Sequence, residues 1–115
     1  MASLTLPPTE RERGLCCDVH FEVAPAKAVE IAAVLKALGD PTRVQMVLSL
    51  RKMKGPLCIC DFTAAFKLSQ PTVSHHMAKL REAGLVDATR KGIWTFYRLK
   101  PHLQPAVLRI IDALA

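Results

Sequence analysis

The chain has 115 residues, half of them hydrophobic, with a formal net charge of +6 and a pI near 9.5. That length holds one small domain, and so large an apolar share predicts a surface buried against a second copy. No stretch approaches the ~18 apolar residues of a membrane span, and the start lacks the apolar core of a secretory signal. A cytoplasmic protein with no membrane partner is therefore expected. Its four cysteines, Cys16, Cys17, Cys58 and Cys60, are then reduced, and clustered thiols in that compartment point to metal or redox chemistry.

Residues 1–24 read as a flexible arm: two prolines and mixed charge without apolar period, followed by Cys16-Cys17. A domain over residues 25–115 opens at Pro25, where KAVEIAAVLKALG predicts a helix with an apolar stripe of Ile31, Val34, Leu35 and Leu38, ending at Gly39. Asp40-Pro41 restarts the chain, because Asp caps free amides and Pro is preset for the first helical position. The second helix runs to about Met53, with Val44, Val47, Leu48 and either Met46 or Leu50 on its apolar face, Arg43, Arg51 and Lys52 on its polar side, and Gly55-Pro56 breaking it. A short third helix, Ile59 to Phe66, buries Ile59, Phe62 and Phe66, and Lys67-Leu68-Ser69 is a turn.

The stretch SQPTVSHHMAKLREAGLV, Ser69 to Val86, then predicts a fourth helix with Ser69 as N-cap, Pro71 in its first turn and Gly84 as its stop. Val73, Met77 and Leu80 recur at helical spacing and face a core. Small polar side chains, Ser69, Gln70, Thr72, Ser74 and His75, lie near its start, with Lys79 further along. Their size and hydrogen-bonding capacity suit base edges and phosphates in a major groove of double-stranded DNA. A short helix, a tight turn and such a second helix describe a helix-turn-helix. Leu85 to Thr89 and Ile93 to Leu99 read as strands around an Arg90-Lys91-Gly92 tip, the wing of a winged helix, with Arg90 and Lys91 on phosphates. A last helix, His102 to Ala115, carries more apolar residues than a surface helix needs and pairs with the first helix in a homodimer. The fold class is thus mainly α with a β-hairpin. Between Arg43 and Lys100, eleven Lys and Arg stand against three acids, so positive potential travels with the reading helix.

The order of these elements and the residues ALGDPTR (37–43), LCICDF (57–62), LSQPTVSHHMAKLREAGLV (68–86) and KGIWTFYRL (91–99) resemble the ArsR/SmtB family. Its members are dimeric winged-helix repressors of prokaryotes that leave operator DNA on binding metal or metalloid ions. Cys58-Ile59-Cys60-Asp61 is similar to the thiol motif of arsenic-, cadmium- and lead-responsive members. The motif is incomplete, for arsenic sensors of the best-known pattern have a third cysteine where this chain has Thr63.

As(III) takes three thiolates in a pyramid, so the resemblance implies a missing ligand that Cys16-Cys17 can supply. Helical positions two apart differ by about 200°, so Cys58 and Cys60 share an ion only if the backbone there is not helical. The favoured set is therefore Cys16, Cys17 and Cys58, with Cys60 a helper or a core residue. Binding must displace thiol protons, helped by the helix N-terminus near Cys58 and by Lys52 and Lys54. Sb(III) is an alternative inducer. All four thiols together would instead suit Cd, Pb or Zn, and an arm-to-Cys58 disulfide would make a redox switch. The zinc site that relatives carry on the last helix is absent, since Lys100 replaces its Asp and no His follows His102. No Cys-x-x-Cys and no nucleotide-binding glycine loop support a thiol reductase, so no enzymatic activity is expected.

Overall fold

The computed structural model describes residues 19–115; Cys16 and Cys17 lie outside the described residues. Five helices and a three-stranded sheet follow in the order α1 (Pro25–Ala37), α2 (Pro41–Met53), β1 (Leu57–Cys58), α3 (Ile59–Phe66), α4 (Gln70–Glu82), β2 (Val86–Lys91), β3 (Trp94–Leu99) and α5 (Pro105–Ala113). The sheet order is β1-β3-β2, all antiparallel. This is a winged helix-turn-helix: α3, a three-residue turn and α4, followed by a hairpin.

The helix boundaries have local causes. Asp40 caps α2 by accepting from the Arg43 N–H at 3.0 Å, and Pro41 sits in the first turn. That hydrogen bond, ahead of the nearby Arg43 charge, holds the Asp40 carboxyl below its usual range. Helix α4 ends in a Schellman motif: Leu85 N–H reaches Leu80 C=O at 3.0 Å and Gly84 N–H reaches Arg81 C=O at 3.0 Å. Gly84 adopts φ +79°, and a methyl added there would meet nothing within 4 Å, so backbone strain alone opposes a side chain. Gly84→Ala is expected to cost about 1–2 kcal/mol of stability, read as a lower urea midpoint at unchanged m.

The core gathers side chains from every element except β2's outer end. Met46 and Val47 (α2), Phe62 (α3), Val73, Met77 and Leu80 (α4), Leu85, Val86, Tyr97 and Ile111 are buried. On α2 the deepest positions are Met46, Val47 and Leu50, while Val44 and Leu48, expected inward, are half-buried. On α1 the buried side chains are Val34, Ala37 and Leu38; Leu35, expected in the stripe, is 51 % exposed and Val29 69 %. Helix α5 buries only Ile111 fully. An open groove of about 420 Å³ runs between α1 and α5, with Val29, Ile31, Val107 and Ile110 along its walls. Among the described residues no helix is long and apolar enough to cross a membrane.

Three expectations are corrected. Helix α5 begins at Pro105, not His102, because the residue before a proline is pushed out of the helical region: Gln104 has ψ 143°. Strand β1 was unforeseen, since two residues pairing Leu57 with Tyr97 and Cys58 with Phe96 carry no periodicity of their own. Arg90 and Lys91 are not the wing tip. They pair with Thr95 and Trp94 inside the ladder, and the two-residue loop is Gly92-Ile93, with Gly92 supplying the positive φ of 63°.

Candidate nucleic-acid interface and thiol site

Ser69 Oγ accepts from the Thr72 N–H at 3.3 Å, and the two hydroxyls lie 2.8 Å apart. Both are exposed, so the cap that starts α4 is also part of its outer surface. Val73, Met77 and Leu80 are wholly buried, which turns Gln70, Thr72, His75 and Lys79 outward and leaves Ser74 half-buried. His75 and Lys79, four apart, share one line along that face. Lys79 also borders a groove between α1 and α4 that holds Lys36 and Arg43. On the wing, Arg90 and Lys91 are exposed neighbours on one strand and point to opposite faces of the hairpin. The Lys91 ammonium lies 5.7 Å from the Phe96 ring centre, while Ile93 and Trp94 project at the tip, 79 % and 49 % exposed.

His76 behaves differently from His75. It is half-buried, with Nδ1 3.2 Å from an Arg43 terminal nitrogen and 3.9 Å from Asp40 Oδ2. Arg43 in turn donates through Nε to the Ala37 carbonyl at 2.6 Å. The sequence reading placed Arg43 on the polar side of α2 and did not find this contact, since its partner lies 33 residues away.

The thiols sit one element upstream. Cys58 is extended (φ −71°, ψ 149°) because it is at once the last residue of β1 and the N-cap of α3. Its sulfur accepts from the Cys60 N–H at 3.5 Å, and Asp61 Oδ2 accepts from the Cys58 N–H at 2.8 Å, a capping box with sulfur in place of hydroxyl. The backbone between the two cysteines is therefore not helical throughout, and the contact between them runs from the Cys60 amide to the Cys58 sulfur. Burial is the reverse of a core role for Cys60: Cys58 is 6 % exposed, whereas Cys60 is exposed. The Cys60 thiol is pushed up from its ordinary pKa, first by the Cys58 hydrogen bond, then by desolvation and by the charges of Cys58 and Asp61. Thr63, at the position of the missing third cysteine, donates its hydroxyl to the Cys60 carbonyl at 3.0 Å.

Two thiols thus lie two residues apart at the cap of one helix, Cys58 buried and Cys60 exposed. Among the described residues no group of three or more His, Cys, Asp or Glu is placed to hold an ion. Behind the thiols, Phe62 packs on Phe66 (6.0 Å) and edge-on to Tyr97 (6.5 Å), joining α3 to the wing. His102 is exposed in the turn before α5.

The family model described as bacterial regulatory protein, arsR family, matches residues 40–88, from the α2 cap through the start of the wing. Over 79 residues the chain is 44 % identical to the arsenical resistance operon repressor of Escherichia coli (strain K12), a match covering 69 % of this chain and 67 % of that one. The chain belongs to the arsR family. This ArsR-family chain is also 49 % identical over 70 residues to the arsenic resistance transcriptional regulator ArsR1 of Pseudomonas putida (strain KT2440), covering 61 % of this chain but only about half (54 %) of that regulator's length. Its fold superposes, with a TM-score of 0.66 at 25 % identity, on the homodimeric winged helix-turn-helix DNA-binding domain of Mb0332 from Mycobacterium bovis, covering 84 % of this chain and 85 % of that domain. ArsR-family proteins are DNA-binding regulators, and the exposed face of α4 is where such a domain carries its reading side chains.

Proposed function

We propose that this ArsR-family protein is a homodimeric repressor that binds operator DNA and is released when As(III), or the chemically similar Sb(III), is taken up by its thiolates. The observation that supports this reading is the placement of Cys58, with Cys60 two residues on, at the N-terminal cap of α3, the helix that packs directly on α4. An ion held there pulls on the element that sets the reading helix.

The exposed apolar flank of α1 and the half-buried flank of α5 serve as the dimer face. Two copies of α4 then enter successive major grooves about 34–36 Å apart. Gln70, Thr72, Ser74 and His75 address base edges, with Ser69 at the start of the helix. Lys79, Arg90 and Lys91 address phosphates, which carry most of the affinity and make it fall with salt. The cytoplasmic arm supplies Cys16 and Cys17 to join Cys58, from the same or the opposite protomer. Release requires only that the ion bind the non-fitting arrangement more tightly, about 1.4 kcal/mol for each tenfold loss of operator affinity.

A second reading draws on the same cap. The extended backbone at Cys58 lifts the helical restriction on the pair, and Cys58 and Cys60 with Cys16 and Cys17 would make a four-thiolate site for Cd, Pb or Zn. Fluorescence anisotropy of a labelled operator duplex decides between them, with the reduced protein titrated with arsenite, antimonite, Cd and Pb. Release by arsenite at the lowest concentration supports the first reading. Release by Cd or Pb alone supports the second, and retention of the duplex throughout rejects both while leaving DNA binding intact.

A further inference from the structure

We propose that Arg43 and His76 are positioning residues for operator binding, a strut by which the end of α1 fixes the orientation of α4. The proposal rests on the reading that α4 faces DNA. One guanidinium spans three elements: its backbone belongs to α2, its Nε donates to the Ala37 carbonyl at the C-terminal end of α1 (2.6 Å), and a terminal nitrogen meets His76 Nδ1 on α4 (3.2 Å). Arg can only donate, so in this contact Nδ1 is the accepting nitrogen. Asp40 fixes the backbone from which Arg43 reaches out, since its carboxylate accepts the Arg43 backbone N–H at 3.0 Å, and the same carboxylate stands 3.9 Å from His76 Nδ1.

The placement gives the contact its consequence. His76 lies one residue from His75 on the exposed face and one from Met77, which is wholly buried, so it sits at the seam between the reading surface and the core. Helix α1 is the proposed dimer helix, so the strut connects the element that spaces the two protomers to the element that each inserts in a groove. Without it, α4 keeps its apolar anchors Val73, Met77 and Leu80 and remains a helix, but it loses the polar tie that resists rotation about that anchor line on the α1 side. Two loosened heads must be ordered on binding, which weakens the complex without unfolding the protein.

Protonation provides a readout that a purely structural histidine would not. A proton on Nδ1 replaces the accepted hydrogen bond by repulsion from Arg43 and draws the ring toward Asp40. The groups facing His76 are Arg43 and Asp40 from the α2 start, with His75 beside it on α4, ring centres 6.2 Å apart. Acidification from pH 7.5 to 5.5 is therefore expected to weaken operator binding through loss of this contact, against the general trend of added positive charge to tighten DNA binding.

The test uses the full chain, with a labelled duplex enriched by the wild-type protein from a random pool. Affinity is read by anisotropy across that pH range, and folding is checked by thermal melting. His76→Asn places an amide oxygen near Nδ1 and is expected to hold wild-type affinity at pH 7.5 and to lack the acid-side drop. His76→Phe and Arg43→Lys, which cannot make the double contact, are expected to bind about tenfold more weakly at pH 7.5 with little change in melting. Should His76→Phe fail to fold, the comparison of wild type with His76→Asn still decides. Identical pH profiles for those two, or full affinity in a folded Arg43→Lys, would overturn the strut. A wild-type protein that enriches no duplex would overturn the DNA-reading assignment as well.

Discussion

Cys58→Ser is expected to leave the fold and operator affinity within about twofold of wild type while raising the arsenite concentration needed for release by about a hundredfold or more. The two halves of that expectation come from one residue doing two jobs. As a cap, Cys58 accepts the Cys60 N–H through its side chain, and serine is a better N-cap than cysteine, so the α3 start survives. The buried hydroxyl has that amide as partner, which avoids the cost of an unsatisfied polar group. As a ligand, serine fails outright, because a neutral hydroxyl is hard and keeps its proton where As(III) prefers a soft thiolate. Losing a mere supporting partner of a metal ligand already costs about 10–100-fold, which sets a lower bound for losing the ligand itself. Cys60→Ser then separates the two candidate ligand sets. A change of only a few-fold assigns the site to Cys16, Cys17 and Cys58, whereas a loss equal to that of Cys58→Ser brings Cys60 into it. Both are measured by arsenite titration of the preformed duplex complex.

The legible parts of the chain were those with a local physical cause. Ser69, Pro71, Gly84, Asp40 and Pro41 each mark a boundary by their own conformational chemistry, and the structure places those boundaries where these residues stand. Val73, Met77 and Leu80 announced the inner face of α4 by spacing alone, and all three are wholly buried. What stayed hidden depends on a partner far along the chain. Strand β1 exists only because β3 lies beside it, and the extended backbone of Cys58 follows from that pairing. Helical spacing alone points Cys58 and Cys60 apart, and the pairing of β1 with β3 supplies the extended backbone at Cys58 that lifts this restriction. Arg43 and His76 are likewise joined across 33 positions by packing of α2 on α4. The Pro105 start of α5 is a different matter, since the signal was in the chain and the apolar run through Leu103 overrode it.

Ion identity should be readable from protons. Arsenous acid is neutral at pH 7, so each thiol that binds gives its proton to an As–OH group that leaves as water. Three S–H and three As–OH bonds become three As–S bonds and three waters, with no net proton released. A divalent ion brings no hydroxide to accept them, so every protonated thiol that ligates Cd or Pb releases one proton to solvent. The raised pKa of Cys60 sharpens the contrast. A thiol whose pKa lies above its ordinary value is more fully protonated at neutral pH, and its ionisation cost persists to higher pH rather than ending near 8.5. Between pH 6 and 8 the affinity for arsenite is thus expected to stay within about threefold, while that for Cd climbs by about two decades for each such thiol in the site. Calorimetry on the DNA-free protein, in buffers of different ionisation enthalpy, counts the released protons directly and keeps His76 and the operator out of the measurement. A proton count near zero for Cd would show that its thiols are already ionised by groups other than Asp61. A count of two or more for arsenite would mean that it does not bind by exchange of hydroxide for thiolate, and the pyramidal three-thiol site would fall with it.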